Sequence, residues 1–82
     1  MPTVLRFDAY RVVVYPNDHR PAHIHVIRDK CEAIFYLNCT TGPPILREST
    51  GFKPVELTKI KAELNKHIAA LCAAWSQIHG YH

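Results

Sequence analysis

Few segments of this 82-residue chain gather as much reactive chemistry as Asp18-His19-Arg20-Pro21-Ala22-His23-Ile24-His25. His23 and His25 are one residue apart, so an extended strand projects both imidazoles from one face and sends Ala22, Ile24 and Val26 to the other. Neutral imidazole is a common ligand of zinc, nickel and copper, and a strand His-x-His pair aims two ring nitrogens at one point. Such a centre needs a third ligand. His19 or Asp18 could supply it, which gives a divalent transition-metal site on His19, His23 and His25 with a coordination position left open for catalysis. The same cluster supports a metal-free chemistry, in which His23 and His25 act as paired acid and base on a phosphodiester. His19, Arg20, Arg28 and Lys30 would then bind and neutralise the phosphate. A third reading makes the histidines structural, hydrogen-bonded to backbone or carboxylates, with Pro21 stiffening the approach to the strand.

The surrounding pattern indicates what must position this cluster. Val4, Leu5 and Phe7 and then Tyr10 to Tyr15 read as two β-rich runs joined tightly through Asp8-Ala9. Pro16, Asn17, Asp18 and Pro21 bound a polar loop, since proline withholds a ladder donor and Asn and Asp favour turns. A third strand spans Ala22 to Arg28, a two-residue turn falls at Asp29-Lys30, and a fourth strand runs from Cys31 to Asn38. Period two puts Ala33, Phe35 and Leu37 on its core face and Glu32, Ile34 and Tyr36 on the other. Residues 39–53, rich in breakers and small polar residues, read as a long loop with a short helical turn near Ile45.

From Pro54 onward, Leu57, Ile60, Leu64, Ile68, Leu71, Trp75 and Ile78 recur at steps of three and four, one stripe of an amphipathic helix over 54–79 that Gly80 ends. The expected architecture is therefore one α+β domain, a four-stranded antiparallel meander over about 3–38 with a single long C-terminal helix packed on one face. A straight helix of that length reaches about 39 Å. That is long for so small a body, and Leu71, Trp75 and Ile78 near its end would then be covered by a second subunit, so a homodimer is expected.

Composition narrows the functional classes. With 48% hydrophobic and 21% charged residues the chain is of ordinary globular type. Its net charge of +3 permits nucleic acid as a partner without demanding it. Three cysteines, Cys31, Cys39 and Cys72, show no CxxC spacing, which points away from a disulfide framework and towards inert thiols in a reducing compartment. No signal peptide or membrane span is readable at the N-terminus, so a cytoplasmic location is expected. Tyr10, Tyr15, Phe35 and Tyr36 could stack bases, although strand aromatics more often serve the core.

Together, the opening Met1-Pro2-Thr3-Val4-Leu5-Arg6-Phe7, the central Asn17-Asp18-His19-Arg20-Pro21-Ala22-His23-Ile24-His25-Val26, the Glu32-Ala33 pair and Gly51-Phe52 resemble a family of small bacterial proteins. That family is described only as a domain of unknown function and is suspected of belonging to toxin-antitoxin-like gene pairs. The resemblance implies a sheet-then-helix protein acting as an interaction module, with a co-encoded protein or nucleic acid as partner. Asp8-Ala9 stands where glycines are usual, and Thr40 to Pro44 looks inserted. His23-Ile24-His25 also looks like the start of a histidine-triad hydrolase signature, but Ile27 occupies the third histidine position, so His25 is not a nucleophile by that analogy. The alternative to the module is a histidine-based nuclease or metal-dependent hydrolase using His19, His23 and His25.

Overall fold

In the computed structural model, which describes residues 3–39 and 41–79, five strands are followed by two helices. The strands β1 (Thr3–Phe7), β2 (Tyr10–Val13), β3 (His23–Arg28), β4 (Cys31–Tyr36) and β5 (Ile45–Thr50) form one antiparallel meander in chain order. The helices α1 (Pro54–Lys66) and α2 (Ile68–His79) complete the fold. The α+β class, the antiparallel sheet and the β1–β2 and β3–β4 hairpins are as expected. Asp8 and Asp29 open the two hairpin turns with φ of 51° and 55°, left-handed values that Asp tolerates better than most residues.

Alternation then sorts the sheet into two faces. Val12 pairs with Val26 and Val26 with Ala33, while Ile24 pairs with Phe35. These buried residues meet Phe52, Ile60, Leu64, Leu71 and Trp75 in one core. On the opposite face Val13 pairs with His25, His25 with Ile34, and His23 with Tyr36. The face assignment read for the fourth strand holds, since Ala33, Phe35 and Leu37 are buried and Glu32, Ile34 and Tyr36 are only partly so.

Three expectations are corrected. Residues 45–50 are not a helical turn in a loop but a fifth strand, paired with β4 from Tyr36↔Ile45 to Glu32↔Thr50. All six of its residues are exposed, so no hydrophobic alternation marks it, and only the neighbouring strand makes it extended. The single long helix is two. At His67 the backbone leaves the helical path (φ −114°, ψ 19°), and the His67 N–H bonds back to the Leu64 carbonyl at 3.0 Å. An unbroken helix of about 39 Å would outrun the 34 Å longest dimension of the molecule, whereas α2, starting afresh after His67, packs Leu71, Cys72 and Trp75 into the core. Leu71 and Trp75 are thereby buried within the chain itself, which removes the reason for expecting a second subunit to cover them.

The third correction concerns the cysteines. Cys39 and Cys72 form a disulfide across 33 residues, with Cα atoms 5.9 Å apart, and Cys31 alone is free. The bond ties the segment after β4 to α2 and withdraws the inference from unpaired thiols to a reducing compartment. No helix among the described residues is long and apolar enough to cross a membrane. The expected helix stop at Gly80 lies outside the described residues.

At the other end of the sheet Glu56 anchors α1. Its Oε1 accepts the Lys53 N–H at 3.2 Å, and its Oε2 pairs with Arg28 and accepts the Tyr10 hydroxyl at 3.2 Å. The Arg28 guanidinium, 5.3 Å from the Tyr10 and Phe52 ring centres, holds the Glu56 carboxyl below its ordinary 4.5, with the Lys53 N–H adding to the effect. A carboxyl depressed on folding binds fewer protons folded than unfolded, so its stabilisation is fully present above the ordinary value and is lost as pH falls through the folded one. Urea midpoints measured from pH 6 down to pH 3 should therefore fall, and Glu56→Gln should flatten that slope. An equal slope in both proteins would remove this anchor from the account.

Candidate metal centre

The pleat of β3 brings His23 and His25 to the same face, as their spacing indicates, and both rings are buried, at 6% and 8% exposure. Asp18 reaches them from the loop after β2. Its N–H donates to the Tyr15 carbonyl at 3.0 Å, while the Tyr15 N–H donates to Asp18 Oδ2 at 3.3 Å, a compact turn that points the carboxylate at the strand. Asp18 Oδ2 then lies 3.1 Å from His25 Nε2 and 3.4 Å from His23 Nε2. One ligand atom from each of the three side chains lies within 4.8 Å of the others.

The outer nitrogens decide where the protons sit. His23 Nδ1 is 2.8 Å from the Pro21 carbonyl oxygen, which can only accept, so Nδ1 carries the proton and Nε2 of the neutral ring keeps its lone pair. His25 Nδ1 is 2.8 Å from Glu32 Oε2, and an ionised carboxylate imposes the same tautomer. Two lone pairs and a carboxylate oxygen thus converge, an arrangement relieved by a second proton on a ring or by a cation among the three. Ligands about 2.0 to 2.2 Å from a tetrahedral ion stand roughly 3.3 to 3.6 Å apart, close to the 3.1 and 3.4 Å that separate Asp18 Oδ2 from the two histidines. A backbone carbonyl behind one histidine and a carboxylate behind the other is the usual means of orienting metal-bound imidazoles.

Aromatic groups wall the site. The Tyr15 ring meets His25 edge-on at 4.5 Å, and Trp75 of α2 lies 5.2 Å from His23 and stacks on His79 at 3.8 Å. Burial, reinforced by the negative charges of Glu32 and Asp18 against the opposing Arg11, raises the Tyr15 pKa above 10.0 and keeps it a neutral phenol. His79 Nε2, 3.1 Å from the Asp18 carbonyl oxygen, ties the end of α2 to the loop.

The structure separates the other residues expected here. His19 is exposed and outside the three-residue cluster, in which Asp18 stands with His23 and His25. Arg20 lies beside the site, lining cavities with Asp18 and His23. Arg28 is five residues along β3 from His23, about 16 Å, and is paired with Glu56; Lys30 is exposed in the β3–β4 turn. Neither reaches the histidines. Glu32 was legible as a partner, because a two-residue Asp29-Lys30 turn sets it opposite Ile27 and diagonal to His25, whereas nothing in the spacing signals Trp75 or His79.

The fold and site define a small α+β meander domain that buries two strand histidines against a loop aspartate. The chain belongs to the family described as Domain of unknown function (DUF4160), whose model matches residues 9–76. The match contains Asp18, His23, His25 and Glu32 and bears out the resemblance at the level of the family. No curated protein and no solved structure is significantly similar to the chain.

Proposed function

We propose that this protein binds a divalent transition metal through Asp18, His23 and His25 and acts as a metal-dependent hydrolase. The observation that carries the reading is the convergence of two imidazole Nε2 atoms on Asp18 Oδ2, with each opposite Nδ1 engaged by an acceptor. Three protein ligands leave a position for water or substrate, the composition of a catalytic rather than a structural zinc site. An ion held by Asp18, His23 and His25 would lower the pKa of bound water towards 7 and so supply a nucleophile at neutral pH. The His19, His23 and His25 set weighed from sequence thus becomes Asp18, His23 and His25. Calorimetric titration of the metal-free protein with zinc and nickel should give one saturable site per chain. Absence of binding by either ion would end the metal reading and return the histidines to acid-base or structural roles.

One observation favours a second reading, the interaction module of a paired gene system. The β5 strand is a sheet edge with every residue exposed, Ile45 at 52% and Leu46 at 40%, and an unpaired edge is a template for another chain. Capture of a co-encoded protein from the native host, lost on Leu46→Pro, would support this reading; capture unaffected by that change would count against the edge.

A further inference from the structure

We infer that the group turned over at this centre is a phosphoryl group, seated between the metal ligands and two arginines; this inference rests on the metal reading above. Beside the cluster is a cavity of about 270 Å³ lined by His19, Arg20, Pro21, His23, Tyr36 and Arg47. His23 belongs to both the cavity and the ligand set. A second cavity shares His19 and Arg20 with the first and is lined by Asp18 as well. The two cavities therefore flank the ligands, and a molecule in the first lies against His23.

The lining of the first cavity is chemically one-sided. Among the described residues it presents two guanidinium groups and two imidazoles, and no carboxylate. Guanidinium offers a planar fork of donors that matches phosphate oxygens in pairs, and a neighbouring divalent ion would add to the attraction for a dianion.

Local backbone structure accounts for Arg47 being there. In the β4–β5 ladder Ile34 faces Glu48 and Phe35 faces Leu46, so Arg47 is the extra residue of a bulge. Bulges break the strict alternation of a strand and re-aim a side chain. The arginine that the bulge sets free lines the cavity with His23, while Arg20 arrives from the loop before β3. Two cations from separate elements thus meet one metal ligand, although the net charge of the chain is only +3.

The test uses the intact protein, zinc-loaded and metal-free, titrated in turn with inorganic phosphate, a mononucleotide and a short single-stranded oligonucleotide. The zinc-loaded protein should bind inorganic phosphate saturably. Arg47→Ala should weaken this by roughly 10- to 100-fold, the worth of a charge-assisted hydrogen-bond pair, and Arg47→Lys should recover part of the loss. Zinc affinity should be the same in all three proteins. Tighter binding of the oligonucleotide than of the mononucleotide assigns the phosphoryl group to a nucleic-acid strand, and the reverse order assigns it to a small monoester. Zinc binding without phosphate binding, or phosphate binding indifferent to Arg47→Ala, overturns the inference and leaves the metal centre intact. Phosphate binding that depends on Arg47 in a protein that takes up no zinc upholds the cavity as an anion site and overturns the metal reading instead.

Discussion

His25→Ala should lower zinc affinity by well over 100-fold, with His23→Ala and Asp18→Asn close behind. Losing a group that merely orients a ligand typically costs about 10- to 100-fold, so losing a ligand from a set of three must cost more. Glu32→Gln supplies the internal scale. It leaves all three ligands and removes only the carboxylate 2.8 Å behind His25 Nδ1, so a loss of about 10- to 100-fold is expected. His19→Ala should leave zinc affinity unchanged because the exposed His19 stands outside the cluster, and His67→Ala should do likewise because His67 pairs with Glu63 on the helix. Calorimetric titration at fixed pH measures the series, with circular dichroism as the folding control. If His19→Ala proved as damaging as His25→Ala, the ligand set would be three histidines and the part given to Asp18 would be wrong. If the His23→Ala, His25→Ala double variant lost its fold rather than its metal, the pair would be structural.

Trp75→Ala should cost about 3 to 5 kcal/mol, the range for removing a large buried aromatic. A domain of this length has roughly 4 to 12 kcal/mol in total at about 0.05 to 0.15 kcal/mol per residue. At the lower end of that range one substitution would bring the protein close to half-unfolded in water. Trp75 is 3% exposed and sits where the core meets the site, packed on His23 and stacked on His79. Urea unfolding followed by circular dichroism is the measurement, because Trp75 is the sole tryptophan and its fluorescence disappears with the substitution. Val55→Ala on the exposed first turn of α1 should shift stability by less than about 0.5 kcal/mol, as surface changes usually do. A Trp75→Ala cost below about 1 kcal/mol would mean that α2 is only loosely attached and cannot wall the site.

These expectations bear on how the chain encodes its site. Alternation between Tyr10 and Tyr36 determined the central strands, their faces and the shared direction of His23 and His25, because a strand's side chains have period two whatever lies around it. The short turns at Asp8 and Asp29 followed from residue types that accept positive φ. Sequence therefore determined the histidine pair, the hairpin that lets Glu32 reach His25, and membership of a family whose model matches residues 9–76.

Everything that depends on residues distant in the chain was settled by the tertiary structure. The β5 strand has no hydrophobic signature of its own and exists by pairing with β4, which in turn creates the bulge at Arg47. The apolar stripe runs on through His67 without a proline or glycine to mark the bend, because a short domain must turn a helix that would otherwise overhang it. Cys39 and Cys72 meet across 33 residues, and His79 reaches Asp18 across 61, separations at which spacing carries no information about contact. The choice of Asp18 over His19 belongs with them. Both stand at the same distance along the sequence from the histidine pair, to within one residue, and only the turn through Tyr15, with α2 closing over the loop, decides which side chain faces inward.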